Sequence, residues 1–292
     1  MDRRIQAVYG WLLALPACVL LAAFTHWPAV ASLIDSFWST PRGRRPAQFV
    51  GFEHYRRMLA DDPIFLQVVW NNFLYALVTV PAAIGLALLM ALLVNERIRA
   101  RGLVRLAYFT PTVLPMVAAA NIWLFFYTPG YGLLNQILSA FGLPDTNFLG
   151  SRDTALWSVM VVTIWKEAGF FMIFYLAALQ AIPPVLEEAA RLEGASHLVY
   201  LRRVALPLLM PTTLFVLVNA LIGAFRVVDH VVAMTQGGPD NASALLLFYI
   251  YETAFRFWDT GYASALTVVL LLVLGGISIA QVRLLDRRIH YR

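Results

Sequence analysis

The chain has 292 residues, of which 60% are hydrophobic and only 13% are charged, and its formal net charge is +5 at pH 7. Ordinary soluble domains carry roughly 25% charged residues. This composition and the mean hydropathy of +0.70 therefore exclude an ordinary soluble protein and predict a polytopic membrane protein. The single cysteine, Cys18, excludes an intrachain disulfide and a cysteine metal cluster. Arginines at membrane borders contact anionic headgroups, so the positive charge calls for no nucleic acid.

Six apolar stretches are each long enough to cross the bilayer, which takes about 20 helical residues. In lipid the backbone must satisfy its own hydrogen bonds, so spans of this length are helices and the fold class is all-α. The first stretch, preceded by Arg3 and Arg4, is similar to a secretory signal peptide. Its apolar run is too long for a typical signal core, so we interpret it as an uncleaved span. One transmembrane domain, 1–292, is predicted. Its spans lie at about 8–34, 67–94, 104–127, 154–180, 206–232 and 261–283.

The orientation follows from the arginines, which are more numerous in the segments that an N-in, C-in arrangement places in the cytoplasm. Cytoplasmic loops of membrane proteins carry an excess of Lys and Arg, so this distribution predicts that topology. It places the loop at 183–207 on the inner face, and the arginine cluster at 42–45 on the outer face.

The segments between spans contain turn signals and short helical patterns. Gly and Pro mark turns at 128–132 and 237–241. Short interfacial helices are predicted at Glu53–Leu59, at Leu133–Phe141 and within the aromatic stretch Leu245–Phe257, because aromatic residues favour the membrane interface.

The loop at 183–207 is a charged, Ala-rich segment in a hydrophobic chain. Pro184 suits the first turn of a helix, and Glu187 and Glu188 suit the helix N-terminus, where the macrodipole favours anions. Gly194 allows a sharp change of direction. After it, the spacing of Leu198, Leu201 and Leu206 predicts that one side of the second segment is buried. On composition alone, docking of a partner and simple anchoring at the interface are equally good interpretations.

Glu188 to Pro207 fits E-A-A-x-x-x-G-x9-[IV]-x-L-P, with Val204 at the branched position. This pattern resembles the EAA loop of permease subunits of ABC importers, the coupling helix that a separate ATPase subunit grips. The resemblance implies a set of ATPase-coupling residues: Glu187, Glu188, Ala189, Ala190, Gly194, Ala195, Leu206 and Pro207.

Other segments resemble the same family over nearly the whole chain. Phe49–Tyr55 is similar to its F-x-G-x-x-N-Y segment, Tyr127–Asn135 to its N-P-x-x-G-x-x-N turn, and Met234–Pro239 to its T-x-G-G-P turn. These features favour the branch that imports sugars, polyols and glycerol phosphates. The basic ending at 287–291 resembles the glycerol-3-phosphate type.

The resemblance implies a type I importer in a bacterial or archaeal cytoplasmic membrane. Its expected partners are a second permease subunit, often a different chain, two ATPase subunits, an extracytoplasmic solute-binding protein and membrane lipid. The chain contains no G-x-x-x-x-G-K-[ST] loop to hold nucleotide phosphates. We therefore expect no cofactor in this chain, with ATP and Mg bound by the partner ATPase.

Charged residues inside spans are costly and point to function. Lys166 and Glu167 lie in span 4, while Arg226 and Asp229 in span 5 are three residues apart and so share one face of a continuous helix. Each pair is a candidate for the substrate pathway, and the structural alternative is an ion pair within the bundle or with the other subunit. Asn121 and Asn219 are further candidates, with helix–helix hydrogen bonds as their alternative.

Two other classes of membrane protein fit the sequence less well than the permease. An ion-coupled secondary transporter usually contains two internal repeats with helices broken at matching positions, and no clear repeat relates 1–146 to 147–292. An intramembrane enzyme is disfavoured because the spans lack H-E-x-x-H and G-x-S-x-G motifs. The sequence therefore predicts a transport subunit and not an enzyme.

Overall fold

The structure is a computed structural model that describes residues 3–96 and 101–285. In this part of the chain nearly all regular structure is helical, and the only β-pairing consists of two isolated antiparallel bridges, Trp38 with Phe49 and Arg42 with Arg45. The predicted all-α fold class is confirmed. The basic ending at 287–291 lies outside the described residues.

The first third of the chain contains one long apolar helical segment, a small hairpin and a second long helix. Its helices are α1 (Arg3–Leu21), α2 (Trp27–Asp35), α3 (Glu53–Ala60) and α4 (Pro63–Asn95), and a π-helical turn, Ala22–His26, joins α1 to α2. The predicted short helix at Glu53–Leu59 is confirmed as α3. At 1.5 Å per residue, α4 is about 50 Å long and extends beyond a bilayer core of about 30 Å.

The middle third contains a broken helix pair, an interfacial helix and the start of the charged loop. Its helices are α5 (Arg101–Val113), α6 (Met116–Tyr127), α7 (Leu133–Ala140), α8 (Ala155–Ala181) and α9 (Pro184–Leu192). The prediction of a helix at Leu133–Phe141 is confirmed as α7. Helix α8 ends before Pro183 because a proline disfavours helical conformation in the residue that precedes it.

The last third begins with short helical segments that lead into the fifth span. Its helices are α10 (His197–Tyr200), α11 (Leu206–Leu208), α12 (Met210–Phe225), α13 (Asp229–Met234), α14 (Leu246–Tyr251) and α15 (Thr260–Leu285). Two π-helical turns, Leu201–Ala205 and Glu252–Arg256, continue α10 and α14. The aromatic segment predicted to be helical over Leu245–Phe257 is thus helical in two parts.

Within the described residues, four helical segments are long and apolar enough to cross a membrane. They are Tyr9–Asp35, Pro63–Asn95, Ala155–Ala181 and Thr260–Gln281. Two further candidates are bent pairs, α5 with α6 at 104° and His197–Leu208 with α12 at 65°. Counting each pair as one span gives the six predicted crossings. Spans 3 and 5 are therefore not the continuous helices that their hydropathy suggested.

The chain forms two compact units. One runs to Pro63 and takes up Ile250–Val273, while the other comprises Ile64–Tyr249 and the chain from Leu274 onward. In the first unit, Thr40 and Arg57 donate hydrogen bonds to the two carboxylate oxygens of Asp259, over 2.7 and 2.9 Å. In the second unit, α5 packs on α8, α8 on α12, and α13 on α6. The second unit contains both candidate functional sites.

Candidate functional site

The loop at 183–207, named the coupling loop here after the family segment that it resembles, begins with a short helix, α9, that has defined ends. Pro183 precedes α9 and Pro184 is its first residue, and the guanidinium of Arg191 donates to the carboxylate of Glu187 over 2.6 Å. Gly194 adopts a φ of +76°, which favours glycine. The backbone N–H of Gly194 donates to the Arg191 carbonyl, and that of Ala195 to the Ala190 carbonyl. These two bonds form a Schellman motif, so the predicted turn at Gly194 is confirmed.

On both sides of the turn at Gly194, the coupling loop presents apolar side chains outward. Leu192 is 90% exposed and Leu198 is 73% exposed. The prediction that Leu198 and Leu206 are buried along one side of the loop is wrong, because the segment lies on the surface of the unit with nothing packed over Leu198. Glu188 and Ala189 are also exposed. The loop thus offers a surface of mixed acidic, small and apolar residues.

A groove of about 780 Å³ lies beside the coupling loop, between α9 and the ends of α4 and α8. Glu187 and Glu188 line it from α9, and Leu179 and Gln180 line it from α8. Helix α8 also carries Lys166, which lies about 21 Å away along the helix axis from Gln180. One continuous helix therefore extends from the groove beside the coupling loop to the polar cavity.

A polar cavity of about 230 Å³ lies within the second unit, between α4, the start of α6, α8, the end of α12 and the start of α13. Its walls are otherwise apolar, with Val80, Phe171 and Ala220 among the lining residues. Its polar and charged lining includes Thr163, Lys166, Glu167, Arg226, Asp229 and His230. Four of the six predicted pathway residues are therefore brought together around one cavity.

Lys166 reaches out of the cavity wall toward the break between α5 and α6. Its ammonium donates to the carbonyl oxygens of Pro111, Thr112 and Leu114 over 3.0, 3.2 and 2.6 Å. Glu167 follows it on α8, and no ion pair between Lys166 and Glu167 is recorded among the described residues. The backbone of the helix break, not the neighbouring carboxylate, is thus the partner of Lys166.

The prediction that Arg226 and Asp229 share one helical face is wrong. Helix α12 ends at Phe225, Val227 and Val228 are not helical, and Asp229 begins α13. The spacing rule applies only to a continuous helix. Both side chains nevertheless line the polar cavity and are exposed, and no ion pair is recorded for either within the described part of the chain.

Asn121 and Asn219 lie away from the polar cavity. Each is exposed, and each donates to the carbonyl four residues earlier on its own helix, Asn121 to Val117 and Asn219 to Phe215. Their amides therefore face outward from the second unit, where another surface could cover them.

A buried hydrogen-bonded triad at the cavity wall was missed at the level of sequence. The Nε2 atom of His230 lies 2.9 Å from the Thr163 hydroxyl and 3.2 Å from the Tyr75 hydroxyl, which also bond to each other. His230 is only 3% exposed. The sequence signal for this triad was a histidine and a threonine inside apolar spans. Neither their spacing nor their charge indicated that Tyr75, Thr163 and His230 would be in contact.

Two asparagines of α4 fix the turn at 237–246. Asn71 donates to the carbonyls of Asn241 and Ala244, over 2.9 and 3.0 Å. Asn72 is almost completely buried and bonds both the Ala224 carbonyl and the Leu246 N–H. The segment that follows the T-x-G-G-P motif is therefore bonded to α4, which also supplies one wall of the polar cavity.

Helices that can cross a membrane, a polar cavity between them and a surface-exposed helical loop together define a polytopic membrane transport subunit. The chain belongs to the family described as "Binding-protein-dependent transport system inner membrane component", whose profile matches residues 83–291. It is therefore a multi-pass inner-membrane permease component and not an enzyme, as the sequence predicted.

Relatives match the chain over most of their own length. A sulfoquinovosyl glycerol transport system permease protein of Agrobacterium fabrum is 36% identical, over 89% of this chain and 84% of its own. An sn-glycerol-3-phosphate transport system permease protein of Pectobacterium atrosepticum is 29% identical, over 97% and 95%. A bacterial alginate ABC transporter, solved in complex with an alginate pentasaccharide-bound periplasmic protein, shares the fold. Its TM-score is 0.85 at 24% identity, covering 98% of this chain and 96% of that one.

Proposed function

We propose that this chain is one of two permease subunits of an ATP-driven importer that moves a sugar, polyol or glycerol-phosphate-type solute into the cytoplasm. The two relatives are named as transporters of sulfoquinovosyl glycerol and of sn-glycerol-3-phosphate, and these names support this class of solute. The bacterial origin of both relatives favours the cytoplasmic membrane of a bacterium.

The observation that carries the proposal is the presence of a guanidinium and of carboxylates, without recorded ion pairs in the described residues, in the wall of one polar cavity. Arg226 follows the end of α12 and Asp229 begins α13, and both line the cavity. A guanidinium and a carboxylate make strong charge-assisted hydrogen bonds with hydroxyl and phosphate groups. Glu167 adds a second carboxylate to the same wall. We assign these three side chains to solute contact.

The coupling loop is the proposed docking site of the ATPase subunits, which bind ATP and Mg in place of this chain. The exposure of Leu192 and Leu198 supports a partner there, since apolar side chains grouped on a surface mark protein–protein or membrane contacts. Glu187, Glu188, Gly194 and Ala195 are the predicted contacts, with Leu206 and Pro207 leading back to the span.

The second permease subunit is proposed to cover the faces that carry Asn121 and Asn219. Both amides are exposed on apolar helices, and polar side chains in membranes favour helix–helix contacts over lipid. An extracytoplasmic solute-binding protein is expected to deliver the solute on the opposite face from the coupling loop.

The test is uptake by the whole transporter, reconstituted in proteoliposomes with its ATPase subunits and its loaded binding protein. We expect Arg226→Gln and Asp229→Asn each to raise the half-saturating concentration of the loaded binding protein, while Arg283→Gln, an exposed arginine on α15, leaves it unchanged. Uptake driven by an ion gradient without ATP, or purification without an ATPase chain, contradicts the proposal and favours an ion-coupled transporter.

A further inference from the structure

The break between α5 and α6 leaves backbone carbonyls without helical partners. Helix α5 ends at Val113 and α6 begins at Met116, and the two axes diverge by 104°. In a continuous helix the carbonyl of Pro111 would accept from the N–H of residue 115. Residue 115 is a proline and has no N–H to donate. Such unsatisfied carbonyls are costly inside a membrane, where no water replaces the missing donor.

Lys166 supplies the missing donors from a different helix. Its ammonium has three N–H groups, and the three carbonyl oxygens of Pro111, Thr112 and Leu114 lie within 3.2 Å of it. The C-terminal end of a helix also carries a partial negative charge that attracts a cation. Every donor of Lys166 is therefore engaged by the break, and none is left for a solute in this arrangement.

The geometry resembles a cation site more than a solute site. In ion-coupled transporters, carbonyls at the ends of broken helices coordinate the transported Na⁺ or H⁺. Here the carbonyls converge in the same way, but the position is occupied by an ammonium tethered to α8. Lys166 is the only lysine of the chain, and a compact ammonium fits three converging carbonyls better than the planar guanidinium of arginine does.

The break is also part of the cavity wall. Met116, the first residue of α6, lines the polar cavity together with Lys166 and Glu167. Gly169, one turn farther along α8, approaches the backbone of α5 at Tyr108 so closely that a Cβ has no room there. Helix α8 is thus held against α5 at two adjacent points, and a shift of the break would move the wall that the solute meets.

We propose that Lys166 is a tethered cation that fixes the break between α5 and α6, and so positions the cavity wall without contacting the solute. This positioning role goes beyond the proposed function. Only the uptake measurement below rests on the proposed function.

The first test measures the geometry of the break and does not involve solute. Spin labels are placed on cysteines at Leu106 of α5 and Phe125 of α6, both exposed, in a Cys18→Ser background of the whole complex in lipid nanodiscs. We expect one narrow distance distribution for the native chain, a broad one for Lys166→Ala, and recovery of the narrow one when ethylammonium is added to Lys166→Ala.

Lys166→Met is the matched control, because its side chain has nearly the length of lysine but no charge and leaves no room for the amine. We expect a broad distribution that ethylammonium does not restore. An unchanged distribution in Lys166→Ala overturns the proposal, and so does a broad distribution in Lys166→Ala that ethylammonium leaves broad.

The second test separates positioning from solute contact. We expect Lys166→Ala to lower the maximal uptake rate by about tenfold or more, the scale of one charge-assisted hydrogen bond. The concentration of loaded binding protein that gives half-maximal uptake should stay within about twofold of the native value. A raised half-saturating concentration with an unchanged maximal rate makes Lys166 a solute contact and overturns the proposal. If Arg226→Gln has no effect, the proposed function fails while the spin-label result for Lys166 still stands.

Discussion

Gly169 of α8 packs directly against the carbonyl oxygen of Tyr108 in α5, and a Cβ at position 169 would collide with that oxygen. Small residues at such crossings let two helix backbones approach closely, which is a common basis of helix association in membranes. The contact lies within one turn of Lys166, so it supports the same region of the bundle.

Gly169→Ala is expected to destabilise the protein. The added methyl group forces α5 and α8 apart, at a cost of about 1–3 kcal/mol in the free energy of unfolding. Thermal unfolding in detergent measures the effect. Gly85→Ala on α4 is the matched control, because nothing lies within 4 Å of a Cβ there, and we expect its stability to be unchanged or raised by up to about 1 kcal/mol. Equal midpoints for both variants would contradict the close packing.

Gly194→Ala is expected to uncouple ATP hydrolysis from solute uptake. The φ of +76° at Gly194 disfavours any residue with a Cβ by about 1–2 kcal/mol, so the Schellman turn that sets the angle between α9 and α10 shifts. We expect ATP hydrolysis to continue with reduced uptake per ATP in proteoliposomes.

Gly142→Ala is the control for that variant, since Gly142 has a φ of +71° and equally open surroundings but follows α7, outside the coupling loop. Both variants should lose similar stability, while only Gly194→Ala changes the ratio of uptake to hydrolysis. Equal ratios in the two variants would remove the coupling role of the loop.

Asn72→Leu is expected to loosen the turn at 237–246. The substitution leaves the buried Ala224 carbonyl and the Leu246 N–H without partners, and each unsatisfied group costs about 1–3 kcal/mol. Thermal unfolding and limited proteolysis of the turn measure the change. Asn121→Leu serves for comparison, because the exposed Asn121 bonds only its own helix, and its stability should stay within about 0.5 kcal/mol of native.

Local features of the fold were predictable from sequence, and the reason is that they depend on neighbouring residues. The coupling helix follows from Pro184, the acidic first turn and Gly194, and the helix at 133–140 follows from its amphipathic pattern between Gly132 and Gly142. In each case the residues that begin and end the element lie within it or next to it.

The features that sequence did not predict depend on contacts between distant residues. The break at Pro115 is tolerated because Lys166, more than fifty residues later, bonds the freed carbonyls. The triad of Tyr75, Thr163 and His230 joins three helical segments. The turn after Phe225 interrupts the helix, so the three-residue spacing of Arg226 and Asp229 does not place them on one helical face. A hydropathy profile predicts the length of a span but not the position at which the span bends.

The ion pair between Arg57 and Asp259 is expected to make the stability of the first unit depend on pH. Burial raises the pKa of Asp259, but the hydrogen bonds from Thr40 and Arg57 and the charge of Arg57 outweigh it, so the net pKa is lowered from its ordinary value. A lowered pKa in the folded state means that the carboxylate stabilises the fold above its unfolded-state pKa of about 3.9. The contribution is lost as the pH falls through the lower folded-state value.

Asp259→Asn should therefore reduce stability at pH 7, by about 1–2 kcal/mol, and the difference from the native chain should shrink as the pH falls below about 4. The measurement is the thermal unfolding midpoint of both proteins in detergent across that range. Asp153→Asn makes the same change in net charge at an exposed aspartate and should show no such convergence. A native–variant difference at Asp259 that stays constant down to low pH would mean that the carboxylate charge does not stabilise the unit. The loss of stability in Asp259→Asn would then come from the geometry of the hydrogen bonds from Thr40 and Arg57, because an amide keeps only one of the two acceptor oxygens.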